Sequence, residues 1–180
     1  FVRDRRSLET IRVSVASDGS EANGPSGEAT MSENGRFVAF VSEATNLVAG
    51  DTNGLADVFV HDLKSGATRR VSVASDGSEA NGISTNATFS TDGRYVTFFS
   101  SASNLVADDV NGVFDVFVRD LKTGTTTRAS VGASGNEGNG ASTLARISGN
   151  GHVVAFQSAA TNLVTADVNG VDDIFVRDLK

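Results

Sequence analysis

The sequence predicts an all-β fold, a β-propeller segment built from four-stranded antiparallel blades, and three observations lead to it. The first is a fixed period. Phe1, Phe59, Phe117 and Phe175 stand 58 residues apart, and the stretch from Asp109 to Lys122 recurs in variant form from Asp51 to Lys64 and from Asp167 to Lys180. The second is the content of each period, short β-prone runs separated by Asp-Gly and Asn-Gly turn signals. The third is negative: no apolar period of about 3.6 residues persists for the length of a helix. An all-parallel solenoid, the competing repeat architecture, would not need antiparallel hairpins.

The elements of one unit are justified in turn on the middle copy. Ala87 to Ser90 is a short β-prone run, and Thr91-Asp92-Gly93-Arg94 supplies a tight turn, since Asp-Gly tolerates the positive φ that hairpins need. The next run, Arg94 to Ser100, puts Tyr95, Thr97 and Phe99 on one face and Val96 and Phe98 on the other, as expected of a strand covered on both sides. Ser101 to Phe114 is a longer connection, pinned by Leu105 and Val106, that leads through Asn111-Gly112 into a third strand, Asp115 to Leu121. After Lys122-Thr123-Gly124 comes a fourth, Thr125 to Val131, where Thr127, Ala129 and Val131 alternate with Thr126, Arg128 and Ser130 in the manner of a half-exposed outer strand. Gly/Ser/Asn-rich connectors, Ser17 to Gly24, Ser75 to Gly82 and Ala133 to Gly140, join the units and disfavour helix. Ser42 to Leu47 and its copies have room for one helical turn.

Residues 1–180 thus form a single propeller segment, with repeat units at approximately 1–58, 59–116 and 117–174, and 175–180 starting a further one. Three units fall short of the roughly four to eight blades of a closed ring. The strand inventory is third and fourth, two full sets of four, then first to third. A partial propeller, or half of a ring made by two chains, is expected, although two chains would leave two third strands competing for each slot. A chain that opens at Phe1 and stops at Lys180, both inside the repeat, is expected to be a processed product or an excised piece.

A hydrophobic content of 39% is enough for a packed core. The net charge of -7 opposes attraction to nucleic acid or to an anionic membrane. With no cysteine there is no disulfide and no thiolate site, and no apolar run is long enough to span a bilayer.

The pattern S-x-D-G-R-x-V-x-F-x-S, here Ser90 to Ser100, followed by N-L-V-x-x-D-x-N-G-x-x-D-V-F-V-x-D-L, resembles the TolB-type, WD-repeat-like propeller blades of bacterial exported proteins. The first unit departs from it with Glu33-Asn34-Gly35 in the turn, and the third with Gly149-Asn150-Gly151-His152. The resemblance implies an extracellular or periplasmic setting. It also implies one of three roles: a protein-interaction module, the gating domain of a serine peptidase, or part of a large surface protein.

One repeated motif offers chemistry. D-x-N-G-x-x-D occurs as Asp51/Asn53/Asp57, Asp109/Asn111/Asp115 and Asp167/Asn169/Asp173, and its oxygens could wrap a hard cation such as Ca²⁺. The other reading is an Asn-Gly turn in which the first Asp makes an Asx bond and the second caps the strand. Glu21, Glu79 and Glu137 recur in the connectors and read as solvated carboxylates or as the lining of one face of the ring. Arg3/Asp4, Arg119/Asp120 and Arg177/Asp178, with His61/Asp62 as the variant, are neighbours on a strand, so they point to opposite faces and form cross-strand or cross-blade pairs. No nucleophile elbow, H-E-x-x-H or phosphate-cradling loop is present.

The expected function is a non-catalytic extracellular or periplasmic scaffold, with a protein partner or self-association through blade edges. The alternatives are the propeller domain of a larger peptidase-type hydrolase and a self-associating surface component.

Overall fold

The computed structural model describes residues 1–180 as thirteen β-strands with no helix. β1 (Val2–Arg3) and β2 (Thr10–Ile11) form a short hairpin. β3 (Ser26–Met31), β4 (Phe37–Ser42), β5 (Asp57–Asp62) and β6 (Thr68–Arg70) form the first complete blade, all neighbours antiparallel. β7 (Ser84–Phe89), β8 (Tyr95–Ser100), β9 (Asp115–Asp120) and β10 (Thr125–Arg128) form the second. β11 (Ser142–Ile147), β12 (Val153–Ser158) and β13 (Asp173–Asp178) form a third that has no fourth strand. The expected strand inventory is therefore the observed one, and the fold is a partial β-propeller.

Period-2 alternation places the core. Phe40, Phe98 and Phe156 are buried at equivalent points of the second strands, each opposite a third-strand phenylalanine: Phe59, Phe117 and Phe175. The three pairs stack at 5.8, 5.8 and 6.0 Å. Blades pack face to face, Val58 and Val60 sharing a core with Ala87, Val96 and Phe98, and Val116 and Val118 with Ala145, Val154 and Phe156. Phe59 and Phe117 are fully buried, but Phe175 is only half-buried, because no fourth strand or further blade covers β13 within these residues.

The S-x-D-G-R hairpins explain how the motif tolerates its variants. Asp92 Oδ1 accepts from Ser90 Oγ at 2.7 Å and from the Arg94 N–H at 3.0 Å. Asn34 and Asn150 use their amide oxygens for the same two bonds, so only an oxygen is required there. The adjacent pairs on the third strands behave as alternation demands. Asp62 and Asp120 take the guanidinium forks of Arg36 and Arg94 at 2.7 Å, which hold both carboxyls far below the usual range. Arg119 points the other way and donates to the carbonyl of Ala74, the residue just before the preceding connector, at 3.0 Å.

Ser42 to Leu47 forms no helical turn. Ser42 Oγ takes the Ala44 N–H, and Asn23 and Asn46 hold the connector against the loop through paired side-chain bonds. At Gly82 the connector passes so close that a Cβ would stand 2.6 Å from the backbone of Ser101 and Ala102. No helix is long and apolar enough to cross a membrane.

Candidate functional site

The middle D-x-N-G-x-x-D loop shows the site in full. Asp115 opens β9 and is fully buried. Its Oδ1 accepts from Ser130 Oγ at 2.5 Å and its Oδ2 from Asn111 Nδ2 at 2.7 Å. Asn111 Nδ2 also donates to the Gly138 carbonyl at 3.0 Å, while its Oδ1 accepts from the Val113 N–H at 3.0 Å, an Asx turn. Arg128 ends β10 opposite Phe117 and sends its guanidinium into the loop. Its Nη1 lies 3.4 Å from Asp109 Oδ1 and 3.8 Å from Asp115 Oδ2 and also donates to Glu137, while Nη2 donates to the Asp108 carbonyl at 3.1 Å. Glu137, from the following connector, accepts from the Val110 N–H at 3.0 Å.

The first loop repeats this plan. Arg70 Nη1 stands 3.1 Å from each of Asp51, Asp57 and Glu79, and Ser72 Oγ donates to Asp57 at 2.6 Å. Asn53 donates to Asp57 and to the Ala80 carbonyl, and Thr52 donates to Glu79 through both its hydroxyl and its amide. In the third loop Asn169 Nδ2 donates to Asp173 at 2.7 Å and Asn169 Oδ1 accepts from the Val171 N–H at 3.1 Å. No arginine reaches it, and Asp167 Oδ1 is buried without a partner.

Each completed loop is therefore a clasp joining the third strand, the fourth strand and the connector to the next blade. Two aspartates, one glutamate and one arginine leave it formally at -2, and the electrostatics follow. Burial, reinforced by the charge of Asp115 and opposed by Arg128, pushes the Asp109 carboxyl up to about 6. Burial raises Asp51 and Asp115 as well, Asp115 against the hydrogen bonds from Ser130 and Asn111. Burial also opposes the charge on Glu137, but the Val110 N–H and Arg128 outweigh it and hold that carboxyl low. The Thr52 hydroxyl and amide bring Glu79 down to about 2.

Asp109, Asp115 and Glu137 bring oxygens within 4.8 Å of one another, a spacing open to a divalent ion. The rest of the donor set does not fit calcium. Arg128 stands against all three carboxylates, the Asn111 oxygen faces the Val113 amide, and it is the Asn111 nitrogen that faces Asp115. Asn53 and Arg70 are disposed in the same way in the first loop. As folded, these two loops are guanidinium sites.

Solved structures share the architecture. TolB from Acinetobacter baumannii matches at 20% identity and a TM-score of 0.50 over 89% of this chain and 31% of its own. The putative TolB from Agrobacterium tumefaciens matches at 17% identity and a TM-score of 0.53 over 86% of this chain and 46% of its own. The fold is that of TolB-like propeller blades. A prolyl endopeptidase matches at 15% identity and a TM-score of 0.50, over 86% of this chain and 20% of its own. The chain spans less than half the length of each of these proteins. No family model and no curated protein matches the sequence.

Of the nine motif residues, the structure brings the members of each triplet together but keeps the three loops apart, one per TolB-like blade. Sequence reasoning missed the other half of the clasp. Arg128 and Ser130 face inward on the fourth strand, the arginine side chain being 8% exposed and Ser130 fully buried, so this is not the solvent face that their alternation suggested. Glu79 and Glu137 are likewise bound within the clasp and are not simply solvated. The signal was present as the recurrence of Arg-x-Ser followed by Glu at 12/14/21, 70/72/79 and 128/130/137, in step with the aspartates.

Proposed function

We propose that the chain is a non-catalytic propeller scaffold that presents an interaction surface, each complete blade braced by an internal arginine clasp. One observation carries this reading: in both complete blades the second motif aspartate, Asp57 or Asp115, turns inward onto Arg70 or Arg128, Asn53 or Asn111 and Ser72 or Ser130, and the same arginine gathers Asp51 and Glu79 or Asp109 and Glu137. Carboxylates bound in this way hold three chain segments together and do not converge on a substrate cleft. The test is a panel of peptide, ester and oligosaccharide substrates incubated with the purified chain and with an Asp109→Asn variant. No turnover above buffer is expected from either, and turnover by the parent chain that the variant lacks would overturn the reading.

An extracellular or periplasmic setting and a protein partner, or association through blade edges, are proposed on the blade resemblance. A second reading, the propeller part of a larger peptidase-type hydrolase, draws on the match to prolyl endopeptidase. A nucleophile motif in a longer parent sequence would decide for it.

A further inference from the structure

The first strands of successive blades, β3, β7 and β11, pack side by side and form the wall nearest the propeller axis. Each carries a β-bulge, between Gly27 and Thr30, between Thr85 and Thr88, and between Thr143 and Arg146. The bulges hold Glu28, Asn86 and Leu144 at φ 50°, 55° and 51°, a left-handed backbone that glutamate and leucine rarely adopt. Three different side chains sit at one unusual backbone position, so it is the turn of the main chain that the blades have in common. At Asn86 that turn takes the N–H out of the strand ladder and offers it to the neighbouring blade.

Between the first two complete blades, what meets this amide is a carboxylate. Glu28 reaches from β3 to β7, and its Oε2 accepts from the Asn86 N–H at 2.9 Å and from Thr85 Oγ1 at 2.6 Å. One bulge thus holds a carboxylate oxygen with a main-chain amide and a hydroxyl. Between the second and third blades the same two donors recur as the Leu144 N–H and Thr143 Oγ1, at the same bulge and nearly the same φ. The side chain facing them differs. Asn86 stands where Glu28 stands one blade earlier, but it is a methylene shorter and uncharged, and its Oδ1 accepts from Arg146 Nη1 at 3.3 Å, not from Thr143 or Leu144. Arg146 occupies the position of Thr88 and so adds a guanidinium to this junction alone. It is exposed and bonded only through Nη1, to Asn86 and to the Ala145 carbonyl at 2.8 Å. Asn86 and Arg146 also border a groove of about 370 Å³ that opens onto the wall and gives access to the junction.

We propose that the junction of β7 and β11 is a carboxylate-binding site. A ligand carboxylate takes the place there that Glu28 takes between β3 and β7: it accepts from Thr143 Oγ1 and the Leu144 N–H and pairs with the Arg146 guanidinium. The chain is acidic overall, with a net charge of -7, so Arg146 is what makes this junction attractive to an anion. The carboxylate that the protein itself seats on such a bulge is a glutamate side chain carried on an extended strand. A peptide displaying a glutamate is therefore the ligand expected to bind more tightly than a free carboxylate. This rests on the interaction-surface reading above and names the chemistry that the surface takes.

The experiment is an NMR titration of the isotope-labelled 180-residue chain, followed at the Thr143 and Leu144 amides. The probes are acetate, a tripeptide with a central glutamate and both ends capped, and the same tripeptide with glutamine. Saturable shifts at both amides are expected with the glutamate peptide, weaker ones with acetate and none with the glutamine peptide. Arg146→Ala is expected to weaken the glutamate peptide by about tenfold, the loss of one charge-assisted bond. Asn86→Glu gives the second junction the side chain that the first has, at a φ that Glu28 already tolerates, and is expected to abolish binding by filling the site from within. Glu28→Ala is expected to make the Asn86 amide respond to the same probes. Spectra unchanged away from the wall show that each variant is folded. An acetate response equal to that of the peptide keeps the site and assigns it to small carboxylates. No saturable shift with any carboxylate, or a response that Asn86→Glu leaves intact, overturns the site while leaving the scaffold reading, which stands on the turnover assay, untouched.

Discussion

Replacing Arg128 with Met removes the guanidinium and keeps most of the side-chain volume. What remains is three carboxylates with oxygens within 4.8 Å of one another and only the Asn111 amide, the Ser130 hydroxyl and the Val110 N–H to hold them. Stranding the partners of a buried ion pair costs about 3–5 kcal/mol. The lower half of that range is expected, because Glu137 can swing toward solvent and Asp109, with its pKa already raised to about 6, can take up a proton. At pH 7.5 the loss should be about 3–4 kcal/mol, which for a domain of this size lowers Tm by about 6–15 °C. Arg128→Lys, which keeps the charge without the two-nitrogen fork, should lose less. Urea unfolding followed by circular dichroism at fixed chain concentration measures both. The pH dependence is the sharper test. Protonation relieves the stranded carboxylates, so the deficit of Arg128→Met should shrink at pH 5. A deficit under about 1 kcal/mol at pH 7.5, or one that grows on acidification, would refute the clasp.

Asp109 gives a prediction of opposite sign. Its folded-state pKa is raised from 3.8 to about 6, so the folded chain holds that proton more tightly than the unfolded one, and the resulting stability is full below 3.8 and lost as pH rises from there through 6. Asp109→Asn should therefore be up to about 2 kcal/mol more stable than the parent at pH 7.5, with the advantage shrinking as pH falls below 6 and gone only below the ordinary aspartate value of 3.8, by urea midpoints, after discounting the linkage energy for solvent at the loop mouth. For calcium, neither millimolar metal nor chelator should move Tm. A rise with calcium that Asp115→Asn abolishes would restore the metal to these loops. Gly82→Ala should cost about 2–3 kcal/mol by denaturant unfolding, because its Cβ would meet the Ser101 and Ala102 backbone at 2.6 Å. Gly77→Ala, in open space at φ 90°, should cost about 1 kcal/mol.

The blade plan was legible because the physics that sets it is local and repeated. Val96 and Phe98 alternate with Tyr95, Thr97 and Phe99 on one strand, and Gly93 marks its hairpin, so periodicity alone placed strand, turn and core face. The clasp was not legible because its parts are far apart in sequence. Arg128 is 19 residues from Asp109 and Glu137 is 28, and only the pairing of β9 with β10 brings them together. Fourth-strand alternation misled for a specific reason. Both faces of the segment formed by β10 and the two residues after it are used, Ala129 against the blade core and Arg128 with Ser130 against buried carboxylates, so a polar residue in the pattern did not mean solvent. An Asx bond was expected from the first aspartate, Asp109, but Asn111 makes it, and which end of that amide faces Asp115 depends on the Gly138 carbonyl of a connector that sequence spacing does not place.

Buried ion clusters contribute little net stability compared with well-packed apolar side chains, so recurrence of this one in each complete blade calls for another reason. Register supplies one. The apolar contacts between blades are built from Val, Ala and Phe at every interface, and such contacts discriminate weakly between one strand alignment and the next. Arg128 reaches Asp109, Asp115 and Glu137 only while it lies opposite Phe117. A slip of one residue would turn its side chain to the other face of β10 and leave the carboxylates stranded, at the cost already estimated for Arg128→Met. The same slip would pull Ser130 from Asp115. The penalty falls on the misaligned strand and leaves the aligned one untouched, so the clasp selects which strand docks beside β9 and in which register.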